Sequence, residues 1–165
     1  MTLLGYERGE SAATMPIMFR YEMDKLIDLV VKKRRNTSPE IRQRVAQSYI
    51  EVEIMRLLGM RTLTGFLKGN QPGPQESMFK LYWSEYHKRI TELALDVLGN
   101  ESLVISGARA STSFHADNPG APNESASWIG AFYNARAGTI YAGTSQIQRN
   151  ILGEIVLGLP KEPRL

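Results

Sequence analysis

Close to the C-terminus the chain reads GTIYAGTSQIQRN, from Gly138 to Asn150. Its residue types suit the binding of a polar ligand on main-chain groups. Gly143 permits backbone angles closed to other residues. Thr144 or Ser145 can cap the helix that follows, and the unpaired N–H groups of a first helical turn, at the positive end of its dipole, form a general anion site. Gln146 adds an amide that can donate and accept. The same residues also describe a capped helix and nothing more. The residue before the glycine is Ala142, which can neither give nor take a proton. If this stretch is catalytic, its acid or base must come from elsewhere.

Other chemistry is scarce. There is no cysteine, which excludes a disulfide framework and thiolate metal sites. His87 sits in the polar middle of a helical stretch and His115 in a loop, so no second histidine stands at metal spacing and no metal site is expected. His87 reads as a surface or bundle-packing residue. The run KKRR, Lys32 to Arg35, precedes the turn-like NTSP and reads as cations at a helix C-terminus. No aromatic residues interleave with it, so a nucleic-acid partner is not expected.

These residues must be positioned by a chain of 165 residues, 42% hydrophobic and 22% charged, with a formal charge of +3. That suits one domain with a real core. No stretch is apolar enough to span a bilayer. The opening MTLLGYERGE lacks the order of a signal peptide. A soluble, cytoplasmic protein is expected.

The pattern is helical nearly throughout. Met15, Phe19, Met23, Leu26 and Val30 recur at the spacing of one helix face, predicting a helix over Ala12 to Val31, with Pro16 as its first position or a kink. Ser38-Pro39-Glu40 is a helix start. The stripe Ile41, Val45, Tyr49, Val52, Met55, Leu63 carries that helix to about Lys68, where GNQPGP stops it. A third helix is expected from Gln75 to Leu98, with Met78, Leu81, Leu93 and Val97 inward and Gly99 as cap. Asn100 to Ser125 reads as a long irregular connection. Shorter helices over Ser127 to Thr139 and Ser145 to Val156 follow. The expected fold is all-α: an up-and-down four-helix bundle with an additional short C-terminal helix.

IYAGTSQIQRNILGEIVLGLP resembles the C-terminal signature of the flavin-dependent acyl-CoA dehydrogenases, where an aromatic-X-Gly-Thr-Ser-X-Ile-Gln-Arg stretch opens the last helix of a C-terminal bundle. YNARAGTIY resembles the segment leading into it, and GPQESMFKLYWSEYHKRITELALDVLG the third bundle helix of a bacterial branch. The similarity spans nearly the whole chain. It implies that residues 1–165 are the C-terminal bundle of such an enzyme, with the N-terminal helical domain and middle β-domain absent. Because the β-domain supplies much of the flavin contact, the chain alone is expected to hold FAD weakly or not at all.

The resemblance also addresses the missing base. Many members carry, at the position of Ala142, the glutamate that removes the substrate's α-proton. A second group, including the isovaleryl and long-chain enzymes, has a small residue there and takes its glutamate from a Glu-Arg pair on the first bundle helix. LGYERG holds such a pair, Glu7-Arg8. By resemblance Glu7 is the catalytic base, Arg8 lies near the substrate mouth, and Tyr141 lines the pocket. Gly143 sits by the thioester, whose carbonyl is polarised by the main-chain N–H of Ala142 and a flavin ribityl hydroxyl. Thr144, Ser145 and Gln146 are the cofactor-binding positions. The implied reaction converts an acyl-CoA to a 2-enoyl-CoA and passes electrons to an electron-transfer flavoprotein, in a homo- or hetero-oligomer, a dimer or tetramer.

Two family features are altered. KKRRNTSPEIRQR lacks the Arg-X-X-Phe-Gly segment that reaches a neighbouring subunit's flavin. The usual Gln-X-X-Gly-Gly is replaced by Asp96-Val97-Leu98-Gly99-Asn100. Both suit a branch with altered cofactor contacts, or mixed oligomers in which only some subunits hold flavin. A non-catalytic oligomerisation module, or a subunit completing a partner's site, is the alternative reading; an unrelated helical anion-binding domain is a weaker one.

Overall fold

The computed structural model describes residues 2–70, 73, 76–107 and 123–161, with side chains of the first helix described from Thr14 onward. Five α-helices follow in order: α1 (Thr2–Lys32), α2 (Pro39–Leu67), α3 (Glu76–Leu98), α4 (Ser125–Gly138) and α5 (Ser145–Ile151). A 3₁₀ turn, Gly99–Leu103, follows α3, and a π turn, Leu152–Val156, extends α5. There is no strand among the described residues. Each of α1 to α4 packs on its neighbour in sequence, and α1 also packs on α3, so the expected four-helix bundle with a short last helix is the fold observed. The central helix is α3, which touches α1, α2, α4 and α5.

Helix α1 begins ten residues before the expected start, and Pro16 lies inside it, buried. An interior proline removes a hydrogen bond and costs about 3 kcal/mol. The buried side chains around it, Met15, Phe19 and Met23, each contribute about 1.5–3 kcal/mol. Tertiary burial therefore carries the helix through a position where local signals would end it. At the other end Lys32 occupies the last turn, as read from the basic run, and Lys33 pairs with Glu101 after α3.

Helix α2 starts as Ser38-Pro39-Glu40 predicts: Ser38 Oγ accepts from the Ile41 N–H at 3.4 Å, with Pro39 as the first helical residue. Its inward face is partly different from the expected stripe. Ser48, Glu51, Val52, Met55 and Gly59 are buried, while Tyr49 and Leu63 are exposed.

In α3 the buried apolar stripe is Phe79, Trp83, Tyr86, Ile90, Leu93 and Val97. The expected inward Met78 and Leu81 are only half-buried. A second stripe, Ser77, Lys80, Ser84, His87 and Thr91, is polar and equally buried. His87 is thus a bundle-packing residue. Its Nε2 lies 3.0 Å from Glu22 Oε1 of α1, and its ring packs on Phe19 at 5.5 Å. Gly99, at φ +59°, ends α3 as the expected cap.

Between Asn100 and Ser125 the connection begins with the 3₁₀ turn; residues 108–122, with His115, lie outside the described residues. Helix α4 starts at Ser125 rather than Ser127 because Ser125 is itself a tether. Its hydroxyl donates to Val104 O at 2.6 Å. Asn123 ties the same end to α1 and α4, donating to Lys25 O and accepting from Trp128 Nε1, both at 2.8 Å.

Candidate active-site turn

The GTIYAGT stretch forms the tight turn joining α4 to α5. Its geometry starts at Gly138, the last residue of α4, where a Cβ would lie 3.2 Å from the Trp83 ring. Lacking one, α4 ends flush against α3. The Ile140 and Tyr141 N–H groups both donate to Ala137 O, at 2.9 and 3.0 Å, and Ser145 N donates to Thr139 O at 3.1 Å. Between these bonds two successive residues adopt positive φ: Ala142 at +54° and Gly143 at +91°. The first is the unusual one, because a residue with a Cβ gives up about 1–2 kcal/mol in this region.

Three side chains hold the turn in this shape. Lys80, buried on α3, donates from Nζ to Gly138 O at 2.9 Å and to Gly143 O at 2.7 Å. Gln148, fully buried on α5, donates from Nε2 to Ala142 O at 2.9 Å and lies 3.4 Å from Gly143 O. Glu85 of α3 accepts from Ser145 Oγ at 2.9 Å, and Arg149 Nη2 lies 4.0 Å from the same carboxylate oxygen. Gly143 is required here: a Cβ would stand 2.6 Å from Gln148 Nε2.

The carbonyls of Ala142 and Gly143 both point inward, at Gln148 and Lys80. In a planar trans peptide the N–H points opposite to the C=O. The N–H groups of Gly143 and Thr144 therefore face away from these two side chains. Among the described residues no main-chain acceptor takes the N–H of Ala142.

The sequence-predicted residues fall as follows. Ala142 and Gln146 are exposed, and Gly143 and Thr144 half-buried, in one continuous turn. Thr144 caps α5, its hydroxyl accepting from the Ile147 N–H at 3.3 Å, which removes one donor from the anion cradle suggested by the sequence. Ser145 is buried with its hydroxyl given to Glu85. Tyr141 is half-buried against Trp83, ring centroids 6.3 Å apart, and burial pushes its phenol up to about 12, so it is a neutral group at physiological pH. Glu7 and Arg8 belong to α1, which is one helix from Thr2 onward; their side chains lie outside the described residues.

Lys80, Glu85 and Gln148 were not singled out from the sequence. The available signal was the recurrence of polar residues at helical spacing, Ser77, Lys80, Ser84, His87 and Thr91, on a helix that already had an apolar face. Such a helix is enclosed on more than one side. Among the described residues no group of three His, Cys, Asp or Glu side chains is placed to hold a metal ion. No described helix is long and apolar enough to cross a membrane.

A capped turn between the last two helices of a bundle is what the resemblance predicts, and comparison with known proteins places the chain. It belongs to the acyl-CoA dehydrogenase family, its residues 1–157 matching the family's C-terminal domain. It is similar to the acyl-CoA dehydrogenase IpdE1 of Mycobacterium tuberculosis, 32% identical over 164 residues, which cover 99% of this chain and 38% of that protein. The IpdE1 of Mycolicibacterium smegmatis is 33% identical over 162 residues, 98% of this chain and 36% of the relative. The chain thus spans under two-fifths of the length of these relatives. Among solved structures, the Tcur3481-Tcur3483 steroid ACAD shares the fold with a TM-score of 0.74 at 20% identity, over 98% of this chain and 39% of that one. Its G363A variant matches with a TM-score of 0.70 at 22% identity, with the same coverage of 98% and 39%.

Proposed function

We propose that this chain is the C-terminal domain of a flavin-dependent acyl-CoA dehydrogenase that converts an acyl-CoA thioester to its 2-enoyl-CoA, with Glu7 as the base. The observation that carries this reading is the turn itself: Ala142 held at positive φ, its N–H without a main-chain acceptor, and the next two carbonyls drawn inward. A thioester oxygen placed at that N–H would be polarised, making the α-proton more acidic where charge develops. Glu7 takes the α-proton, and desolvation of its carboxylate raises its proton affinity to match. Alanine at position 142 keeps the main-chain donor while vacating the space a carboxylate arriving from α1 must use. Gly143 lets the thioester approach the backbone, Tyr141 lines the pocket as a neutral phenol, and Arg8 stands at its mouth.

The residues present suit FAD at the exposed side of the turn. Gln146 is exposed and has no described partner, Thr144 is half-exposed, and the Gly143 and Thr144 N–H groups face away from the core-side clamp. Thr144, Gln146 and the Ser145 backbone would hold it. FAD bound there would supply the acceptor for the hydride leaving the β-carbon. In the whole enzyme an N-terminal helical domain and a middle β-domain would complete the flavin site. An electron-transfer flavoprotein would take the electrons, in the cytoplasm.

The test is Glu7→Gln in the assembled flavoprotein, which keeps shape and removes the base. Bleaching of the flavin absorbance by acyl-CoA should be abolished; an unchanged rate would show that the proton goes elsewhere.

A second reading, an assembly module or partner subunit, is favoured by one observation. Ile50, Ile54 and Leu57 lie exposed on one face of α2, and Met60, Leu63 and Leu67 are exposed further along the same helix. Sedimentation of the chain should then show a dimer or tetramer that Leu57→Glu dissociates; a monomer at all concentrations would refute it.

A further inference from the structure

The least expected group near the turn is a lysine inside the protein. Lys80 is 5% exposed, yet its neighbours along α3 are core residues, Phe79 and Trp83 among them. Burying an ammonium is unfavourable unless it is fully hydrogen-bonded. Its two described bonds go to carbonyls on either side of one short segment: Gly138 O at the end of α4, and Gly143 O just after Ala142. Both acceptors belong to glycines, which let the backbone come close.

We propose that Lys80 is a positioning residue: by gathering the Gly138 and Gly143 carbonyls onto one ammonium, it sets the direction of the Ala142 N–H between them. The inference rests on the reading that this N–H receives the thioester carbonyl. The segment from Thr139 to Ala142 is a loop whose two ends are brought to a single point, so its peptides have little freedom to rotate. Gln148 adds a second hold at Ala142 O, 2.9 Å from Nε2. With both carbonyls after Ala142 held from inside, its strained backbone is over-determined, the condition under which positive φ persists at a non-glycine residue. The charge contributes as well, since charge-assisted hydrogen bonds are roughly twice as strong as neutral ones. An ammonium on the carbonyl side of the Gly143–Thr144 peptide also polarises its N–H.

A merely structural role is the competing explanation. A cation at the last carbonyl of α4 would favour that helix through its dipole. The two roles differ in what substitution moves. Lys80→Met keeps the stem's length and removes both bonds; Lys80→Arg keeps the charge and the ability to reach two acceptors.

The first measurement uses the 165-residue chain, ¹⁵N-labelled, without cofactor or substrate. In Lys80→Met the amide signals of Ala142, Gly143 and Thr144 should shift and exchange faster, while those of Met23 and Val52 in the bundle core stay in place. The second uses the assembled flavoprotein. A misplacement of about 1 Å at a reacting group costs on the order of 100-fold in rate, so Lys80→Met should lower kcat by that factor with KM for acyl-CoA within about threefold. Lys80→Arg should recover most of kcat. Turn amides that do not move in Lys80→Met overturn the proposal whatever the activity. So does an arginine variant as slow as the methionine one while its amides remain in place. If Lys80→Met does not fold, Lys80→Arg decides: native turn amides with near-native kcat support positioning, and displaced amides with native kcat refute it. An assembled wild-type flavoprotein inert toward acyl-CoAs would sink the functional reading, whereas the amide measurement would still decide what Lys80 does to the turn.

Discussion

Replacing Gly143 by alanine separates two effects that usually occur together, backbone strain and a steric contact. The residue sits at φ +91°, so any side chain is disfavoured there by about 1–2 kcal/mol. The added Cβ would also lie 2.6 Å from Gln148 Nε2. Gln148 is fully buried, and a retreat of the better part of an ångström would lengthen its bond to Ala142 O. A buried amide left without its acceptor costs about 1–3 kcal/mol more. Gly143→Ala should therefore destabilise by about 2–5 kcal/mol, the sum of the two effects. Gly69 supplies the control, at φ +80° with nothing within 4 Å of its ideal Cβ. Gly69→Ala should cost only the strain, about 1–2 kcal/mol. Urea unfolding of the purified chain, with equal m-values as the condition for comparison, measures both. A Gln148→Ala partner variant closes the cycle: with the clashing amide gone, the double variant should lose less than the two singles added together, by about 1–3 kcal/mol. Equal losses for Gly143→Ala and Gly69→Ala, or strict additivity with Gln148→Ala, would refute the close approach as the reason for glycine at this position.

Two further outcomes follow from buried polar groups. Tyr141 has its phenol raised to about 12 by burial. Below pH about 10 the unfolded tyrosine is also neutral, and the stability it confers is fully present. Above that pH the unfolded chain ionises first, so the contribution falls as pH rises through about 12. Burial also raises Tyr82, and raises Tyr86 further, so ultraviolet difference titration should lose one of several late tyrosines in Tyr141→Phe, with the alkaline unfolding midpoint of that variant moved upward; an unchanged titration curve would contradict the burial. The Glu22–His87 pair is 3% and 2% exposed, with Glu22 Oε2 left without a partner among the described residues. Removing one member strands the other, so His87→Leu should cost about 3–5 kcal/mol, whereas Glu22→Leu/His87→Leu should recover most of that loss. A double variant as unstable as the single one, by calorimetry, would mean that packing rather than polarity dominates this crossing.

What could be read in advance differs element by element, for physical reasons. The start of α2 was readable because Ser38, Pro39 and Glu40 act within one turn of each other and need nothing from the rest of the chain. The start of α1 was not, because Pro16 opposes the helix locally and is outweighed by burial that depends on α3. On α2 the apolar stripe was misaligned at Tyr49 and Leu63 because that helix has apolar residues around much of its circumference. Periodicity alone cannot say which of them faces inward. Small residues, Ser48 and Gly59, are buried on this helix while larger apolar ones are exposed.

The candidate site shows the same division. Its turn was legible as a turn, since glycine, two hydroxyl residues and a following helix are a local grammar. What holds it was not, because Lys80 and Glu85 act from another helix, on acceptors that no side-chain pattern reveals. A buried lysine looks misplaced when charges are paired only with charges. Two of its partners here are backbone carbonyls, one of them at the end of α4, where the peptide dipoles already concentrate negative potential. The same arrangement accounts for Ala142. Once both carbonyls beyond it are drawn inward, positive φ is imposed by the clamp rather than chosen by the residue. A single methyl is then the smallest side chain that keeps an L-residue at this exposed position, and its N–H has no main-chain acceptor among the described residues. On the proposed reading, in which the proton acceptor comes from α1, this position would need to supply only its N–H, and the proposed clamp at Lys80 would hold that N–H in place.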